Sequence, residues 1–206
     1  MRLFVAVFPP EGARAHLRHR LAAAHEHSAS EGDTGDTRAG GVRVTARDGV
    51  RGAGRRVRPF RLTPMDRWHV TLAFLGEVDP PLLPDVDHAV ASVPPRDPIT
   101  LRIAGGGSFG GRGRSGVLWA GLTGDVPALA EVHAYLRNAL VAMGLPHDAR
   151  PFTPHLTVAY AQDRGVRAAL DDYAGPAWAA EEIVLVHSRH AEGGGYEHVR
   201  RWPLIR

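Results

Sequence analysis

The chain has 206 residues, 25 basic and 22 acidic side chains and a formal net charge of +3, a length that fits one large domain able to bury a substantial core. It contains no cysteine, which excludes disulfides, thiolate nucleophiles and thiolate-bound metals. Every basic residue is Arg; guanidinium groups suit bidentate phosphate contacts and stacking on bases, so composition permits a nucleic-acid partner without establishing one.

Arg2 to Phe8 is predicted as a strand closed by Pro9-Pro10. Its apolar run is too short for a signal-peptide core or a membrane span, so the expectation is a soluble, cytoplasmic protein without membrane attachment. Ala13, Leu17, Leu21 and Ala24 recur at helical spacing and predict a helix from Glu11 to about His27, packed back on that strand, with His16, His19, His25 and His27 as solvated or capping residues. Ser28 to Arg58 is rich in Gly, Ser, Thr, Asp and Arg, lacks Leu, Ile, Phe, Trp and Tyr, and reads as a flexible insertion. Its second half, Arg38 to Arg58, carries seven Arg against the single acid Asp48, a run that reads either as a solvated insertion with no role or as a track for an RNA backbone.

Phe60 to Gly76 holds a strand, and Pro80-Pro81 opens a helix whose apolar side is Leu82, Leu83, Val86, Ala89, Val90 and Val93. Strands are predicted over Ile99 to Ala104 and Val117 to Leu122, joined by a glycine-rich loop from Gly105 to Arg114 that matches no P-loop spacing. Leu129, Val132, Leu136, Leu140 and Met143 form a helical stripe stopped at Gly144. Pro151 to Ala161 carries another strand, Val166 to Tyr173 a short helix, and Glu182 to His190 with Tyr196 to Leu204 a hairpin. The predicted order is β-α-β-α-β-β-α-β-α-β-β, the layout of an internally duplicated α+β protein: one domain over 1–206 with two similar lobes and an insertion at 28–58.

The duplication shows at the residue level. His69-Val70-Thr71-Leu72-Ala73-Phe74 returns as His155-Leu156-Thr157-Val158-Ala159-Tyr160, identical at places one, three and five and apolar or aromatic at the others. With 12 His in the chain, two His-x-Thr triplets alone prove little; the apolar frame is what puts both on strands. Strict alternation predicts that His, Thr and Ala share one face and leave room for a ligand. It sends Val70, Leu72 and Phe74, and likewise Leu156, Val158 and Tyr160, into the core.

Two His and two Thr converging on one point suit a phosphodiester. One neutral imidazole takes a proton from an attacking water while the other, protonated, delivers one to the departing oxygen. The Thr hydroxyls donate to non-bridging oxygens where charge grows. His88, His133, His147, His187 and His190 form no recognisable zinc-ligand cluster with the motifs, and no Gly-x-Ser-x-Gly elbow is present.

The paired His-x-Thr motifs resemble those of the 2H phosphoesterase superfamily. The stretches Arg2 to Val7, His69 to Val78, Val117 to Gly121, Pro151 to Thr157 and Ser188 to Tyr196 narrow the resemblance to the RNA 2′,3′-cyclic phosphodiesterase (2′-5′ RNA ligase) family. The resemblance implies a bilobal fold with two antiparallel sheets facing a cleft and helices packed outside. It implies metal- and cofactor-free hydrolysis of 2′,3′-cyclic phosphate ends to 2′-phosphates, with reversible 2′-5′ ligation as a further capacity. His69 would be the general acid, His155 the general base, and Thr71 and Thr157 the phosphate ligands. The expected partners are RNA ends or small cyclic-phosphate nucleotides, met by a monomer. The alternatives are a sibling activity on a small cyclic nucleotide or a 2′-5′ oligonucleotide, and a catalytically idle RNA-binding module. Where the family commonly has Arg after the second motif, this chain has Tyr160. Phe74, Phe109 and Tyr160 are candidates for base stacking, with core packing as the competing reading.

Overall fold

A computed structural model describes residues 1–33, 60–110, 116–189 and 195–205. Its elements are β1 (Arg2–Val7), α1 (Glu11–Asp33), β2 (Val70–Glu77), α2 (Leu83–Ala91), β3 (Ile99–Phe109), β4 (Val117–Gly124), α3 (Val126–Ala142), β5 (Leu156–Ala159), α4 (Arg164–Asp171), β6 (Ala174–Ala180), β7 (Glu182–Ser188) and β8 (Tyr196–Pro203). They form two four-stranded antiparallel sheets, ordered β2-β1-β7-β8 and β5-β4-β3-β6. The unit β1-α1-β2-α2 is echoed by β4-α3-β5-α4, and each motif strand is the outer strand of its sheet.

β1 separates two apolar environments by simple alternation. Leu3, Val5 and Val7 enter the main core, shared by both sheets and the helices, while Phe4 and Ala6 turn to the opposite face with Val184, Val186, Phe8, Phe74 and Tyr196. That second face borders the cleft. Helix α3 buries Leu129, Val132, Leu136 and Leu140 and stops as the sequence predicts: Gly144 takes φ 66°, Leu145 N–H bonds the Leu140 carbonyl at 2.9 Å and Gly144 N–H that of Val141 at 3.0 Å. These are the paired bonds of a Schellman stop.

Four expectations change. Helix α1 continues to Asp33, so the first six residues of the expected insertion are helical; residues 34–58 of it lie outside the described residues. The same helix packs chiefly on α4 and β6 of the other sheet rather than back on β1. Gly105 to Phe109 is the end of strand β3, not a loop, while residues 111–114 of that expected loop are outside the described set. Strand β6, Ala-Gly-Pro-Ala-Trp-Ala-Ala, was not expected because it lacks β-branched residues; its pairing with β3 over Ile99 to Ala104 creates it.

The helices cross over between the halves. Helix α1 follows β1 but covers the sheet containing β6, and α3 follows β4 but packs on α2 and β2. Each half therefore supplies the cover for the other half's sheet.

Candidate active site

The two motifs share a departure from strict alternation. In β2, Thr71 faces Ala6 and Ala73 faces Val5, leaving Leu72 as an extra residue. In β5, Thr157 faces Trp119 and Ala159 faces Leu118, leaving Val158 extra. Both bulges fall at place four of the repeated hexapeptide. A bulge reverses the facing of the residues after it, so Ala73 and Ala159 turn into the core and place six turns out. This corrects the expectation that Ala leaves space above His and Thr, and that Phe74 and Tyr160 enter the core: Phe74 and Tyr160 both line the cleft. Tyr160 is 70% exposed and Phe109 40% exposed, against the core-packing reading.

Each histidine is held in the same way. His69 Nδ1–H donates to the Arg67 carbonyl at 2.7 Å and His155 Nδ1–H to the Thr153 carbonyl at 2.6 Å. A donor at Nδ1 leaves Nε2 as the working nitrogen of the neutral ring. Among the described residues, neither Nε2 nor either motif hydroxyl, Thr71 or Thr157, has a protein partner, so these four groups remain available to a ligand.

The surroundings differ. His69 stacks on Phe4 with centroids 4.7 Å apart, lies 5.5 Å from Phe8 and meets the edge of Tyr196 at 5.3 Å. Burial among these rings lowers its pKa from 6.5 to about 4, the Arg67 carbonyl opposing this and the positive potential of His155 and His198 adding to it. His155 meets Phe109 edge-on at 4.9 Å, and Phe109 stacks on Trp119 at 5.2 Å. The glycine-rich strand explains how the indole fits: a Cβ on Gly107 would stand inside the Trp119 ring. These glycines seat an aromatic platform beside His155.

The outer edges of the motif strands are tied to each other's halves. Thr63, ahead of the first motif, donates its N–H to the Val158 carbonyl at 2.8 Å; its hydroxyl lies 3.0 Å from the carbonyls of Thr157 and Val158 and accepts Trp68 Nε1–H at 2.6 Å. Asp148, ahead of the second motif, donates its N–H to the Phe74 carbonyl at 2.9 Å. His133 of α3 donates Nδ1–H to the bulged Leu72 carbonyl at 2.7 Å and stacks on Phe152 at 4.3 Å. β2 and β5 are edge strands, so carbonyls on their outer sides have no partner in the ladder, and these contacts satisfy them.

A cavity of about 1080 Å³ opens between the sheets, lined by His69, Thr71, Phe74, Thr157 and Tyr160 together with Arg2, Arg61, Arg67 and Tyr196. His155 and Phe109 are not part of that lining; they stand against the Trp119 platform. Sequence reasoning missed the arginines and Trp119, although the period-two face of β1 and the three glycines preceding Ser108 were legible signals. No group of three or more His, Asp or Glu among the described residues could hold a metal ion, and no described helix is long and apolar enough to cross a membrane.

Comparison with known proteins supplies the family. The family model of the 2′-5′ RNA ligase superfamily matches residues 49–192. An RNA 2′,3′-cyclic phosphodiesterase of Geobacillus stearothermophilus is 31% identical over 156 residues, covering 71% of this chain and 49% of that protein. One from Aeropyrum pernix is 28% identical over 101 residues, 49% of this chain and 57% of its own length. The chain thus spans about half the length of the curated relatives it matches. A crystal structure of a Thermus thermophilus protein superposes with TM-score 0.69 at 25% identity, covering 99% of this chain and 98% of that one. E. coli LigT complexed with 3′-AMP gives TM-score 0.69 at 23% identity, with 100% and 98% covered. The family model spans well over half of the chain, and the chain belongs to the 2′-5′ RNA ligase superfamily.

Proposed function

We propose that the protein hydrolyses RNA 2′,3′-cyclic phosphate ends to 2′-phosphomonoesters, with His69 and His155 as the acid–base pair and Thr71 and Thr157 as phosphate ligands. The observation that carries this reading is the twin presentation of two Nε2 atoms and two unpartnered hydroxyls from bulged strands on opposite sheets. Water attacks phosphorus as one imidazole takes its proton; the P–O3′ bond breaks, and the other imidazole protonates the departing 3′-oxygen. The threonines hold the non-bridging oxygens. The names of the curated relatives support the same reaction.

The resemblance makes His69 the acid. That role requires the bound phosphate to raise the pKa of His69, since a negative charge beside an imidazole favours its protonated form. The surroundings of His69 work the other way: burial among Phe4, Phe8 and Tyr196 holds its pKa down to about 4, so the ring is neutral at pH 7 and fit to accept a proton.

The test is EDTA-treated protein with a short RNA ending in a 2′,3′-cyclic phosphate, resolving the 2′- from the 3′-phosphate product. A 2′-phosphate that disappears in His69→Ala and His155→Ala supports the reading; binding without turnover moves the assignment to an idle RNA-binding module. A substrate with sulfur in place of the 3′-oxygen separates the two roles, because a thiolate departs without needing a proton. It restores turnover to the variant that lost the acid and not to the one that lost the base.

A further inference from the structure

The cavity is larger than one cyclic phosphate requires, and its charge is one-sided. Among the described residues its lining holds three arginines and no Asp or Glu. Among the described residues neither Arg2 nor Arg61 has a carboxylate partner, and both are exposed. Arg2 holds its guanidinium 5.3 Å from the centre of the Phe74 ring, and Phe74 is the next cleft-facing place beyond Thr71. The Arg2 backbone stands opposite Glu77, four residues along β1 from Ala6, which faces Thr71; at about 3.4 Å per residue that is roughly 14 Å of strand. Positive charge therefore continues along the cleft past the point where the threonines hold phosphate. Tyr160, 70% exposed, lines the same space.

We infer that Arg2, Arg61, Phe74 and Tyr160 form a subsite for the nucleotide before the cyclic end, so that an oligonucleotide is favoured over a free cyclic mononucleotide. The arginines take the phosphodiester joining the terminal nucleotide to its predecessor, as guanidinium groups do by charge-assisted hydrogen bonds. The two rings stack on a base, which needs no particular sequence. This inference rests on the phosphodiesterase reading and selects between its RNA and small-nucleotide versions.

The experiment compares kcat/KM of the full chain for adenosine 2′,3′-cyclic phosphate and for the dinucleotide ApA ending in the same cyclic phosphate. The dinucleotide is expected to be favoured by roughly 10- to 100-fold at low salt, the worth of a charged hydrogen-bonded contact. In Arg2→Gln/Arg61→Gln that ratio falls towards one, and the salt dependence for the dinucleotide becomes shallower by about 0.7 in log–log slope for each phosphate interaction removed. The 5′-phosphorylated mononucleotide separates the contributions: it recovers the share of the arginines, and Tyr160→Ala lowers only the remaining advantage of the dinucleotide. Equal kcat/KM for the mono- and dinucleotide in the unaltered protein overturns the subsite while leaving the phosphodiesterase reading intact. Should neither substrate turn over, that reading fails first, and calorimetric binding of the two corresponding 2′-phosphates still decides the subsite: equal affinities overturn it.

Discussion

Protonating His69 should destabilise the fold by an amount the structure sets. In the unfolded chain this ring takes its proton near 6.5; in the fold, burial against Phe4, Phe8 and Tyr196, with His155 and His198 nearby, delays that to about 4. Between those values the unfolded chain binds more protons, so stability falls as pH falls. The contribution is fully present above pH 6.5 and is lost down to pH 4, in total roughly 3 kcal/mol at 1.36 kcal/mol per unit. By pH 5 about 2 kcal/mol of it should be gone. Urea denaturation followed by circular dichroism at pH 7.5 and 5, on the unaltered protein and on His69→Asn, reads this directly. Asn keeps an amide donor near the Arg67 carbonyl but does not titrate, and carboxylates common to both proteins cancel in the difference. Equal loss of stability in the two proteins over this window would refute the burial argument. The same argument predicts that His155→Asn raises the His69 midpoint in an NMR titration, since one repelling neighbour is removed.

Other parts of the site yield further expected outcomes. His69→Ala and His155→Ala should each lower turnover of the cyclic-phosphate RNA by roughly 10²- to 10⁴-fold, and the double variant should fall short of the product of the two losses because the pair acts as a unit. Thr63→Val removes the hydroxyl that accepts from Trp68 and reaches the Thr157 and Val158 carbonyls. It should lower kcat more than it raises KM, with Thr63→Ser restoring both; a loss of melting temperature alone would mean that Thr63 has no part in aligning the motifs. Gly107→Val drives a side chain into the Trp119 ring and should disrupt the Trp119–Phe109 platform, seen as a changed near-ultraviolet circular dichroism spectrum and a raised KM.

Much of this architecture is written locally. The hexapeptide repeat, the α3 stripe with Gly144 and the final hairpin follow from period and punctuation, which depend on neighbouring residues only. The bulges at Leu72 and Val158 do not, because an extra residue exists only relative to a partner strand; β1 and β4 decide it. That is why His and Thr are legible as candidate site residues while the facing of Ala73, Ala159, Phe74 and Tyr160 is reversed. Strand β6 was hidden for a similar reason, since β3 rather than its own composition makes it extended. The arginines of the cleft were illegible one by one in a chain whose basic residues are all Arg: only the tertiary fold separates Arg2 and Arg61 from the rest.

The reciprocal ties at the motif edges have a consequence for when this protein becomes competent. The outer edge of β5 is closed by Thr63, and that of β2 by Asp148 and His133, so neither half can finish its share of the site before the other arrives. Contacts that span 61 to 95 residues of sequence are slow to form. Assembly of the cleft therefore belongs to the last step of folding. A chain still emerging from the ribosome, or a fragment cut between α2 and β3, would carry one complete hexapeptide and no working site. Two such fragments mixed together should recover activity only as a bimolecular reaction, at a rate set by their concentration.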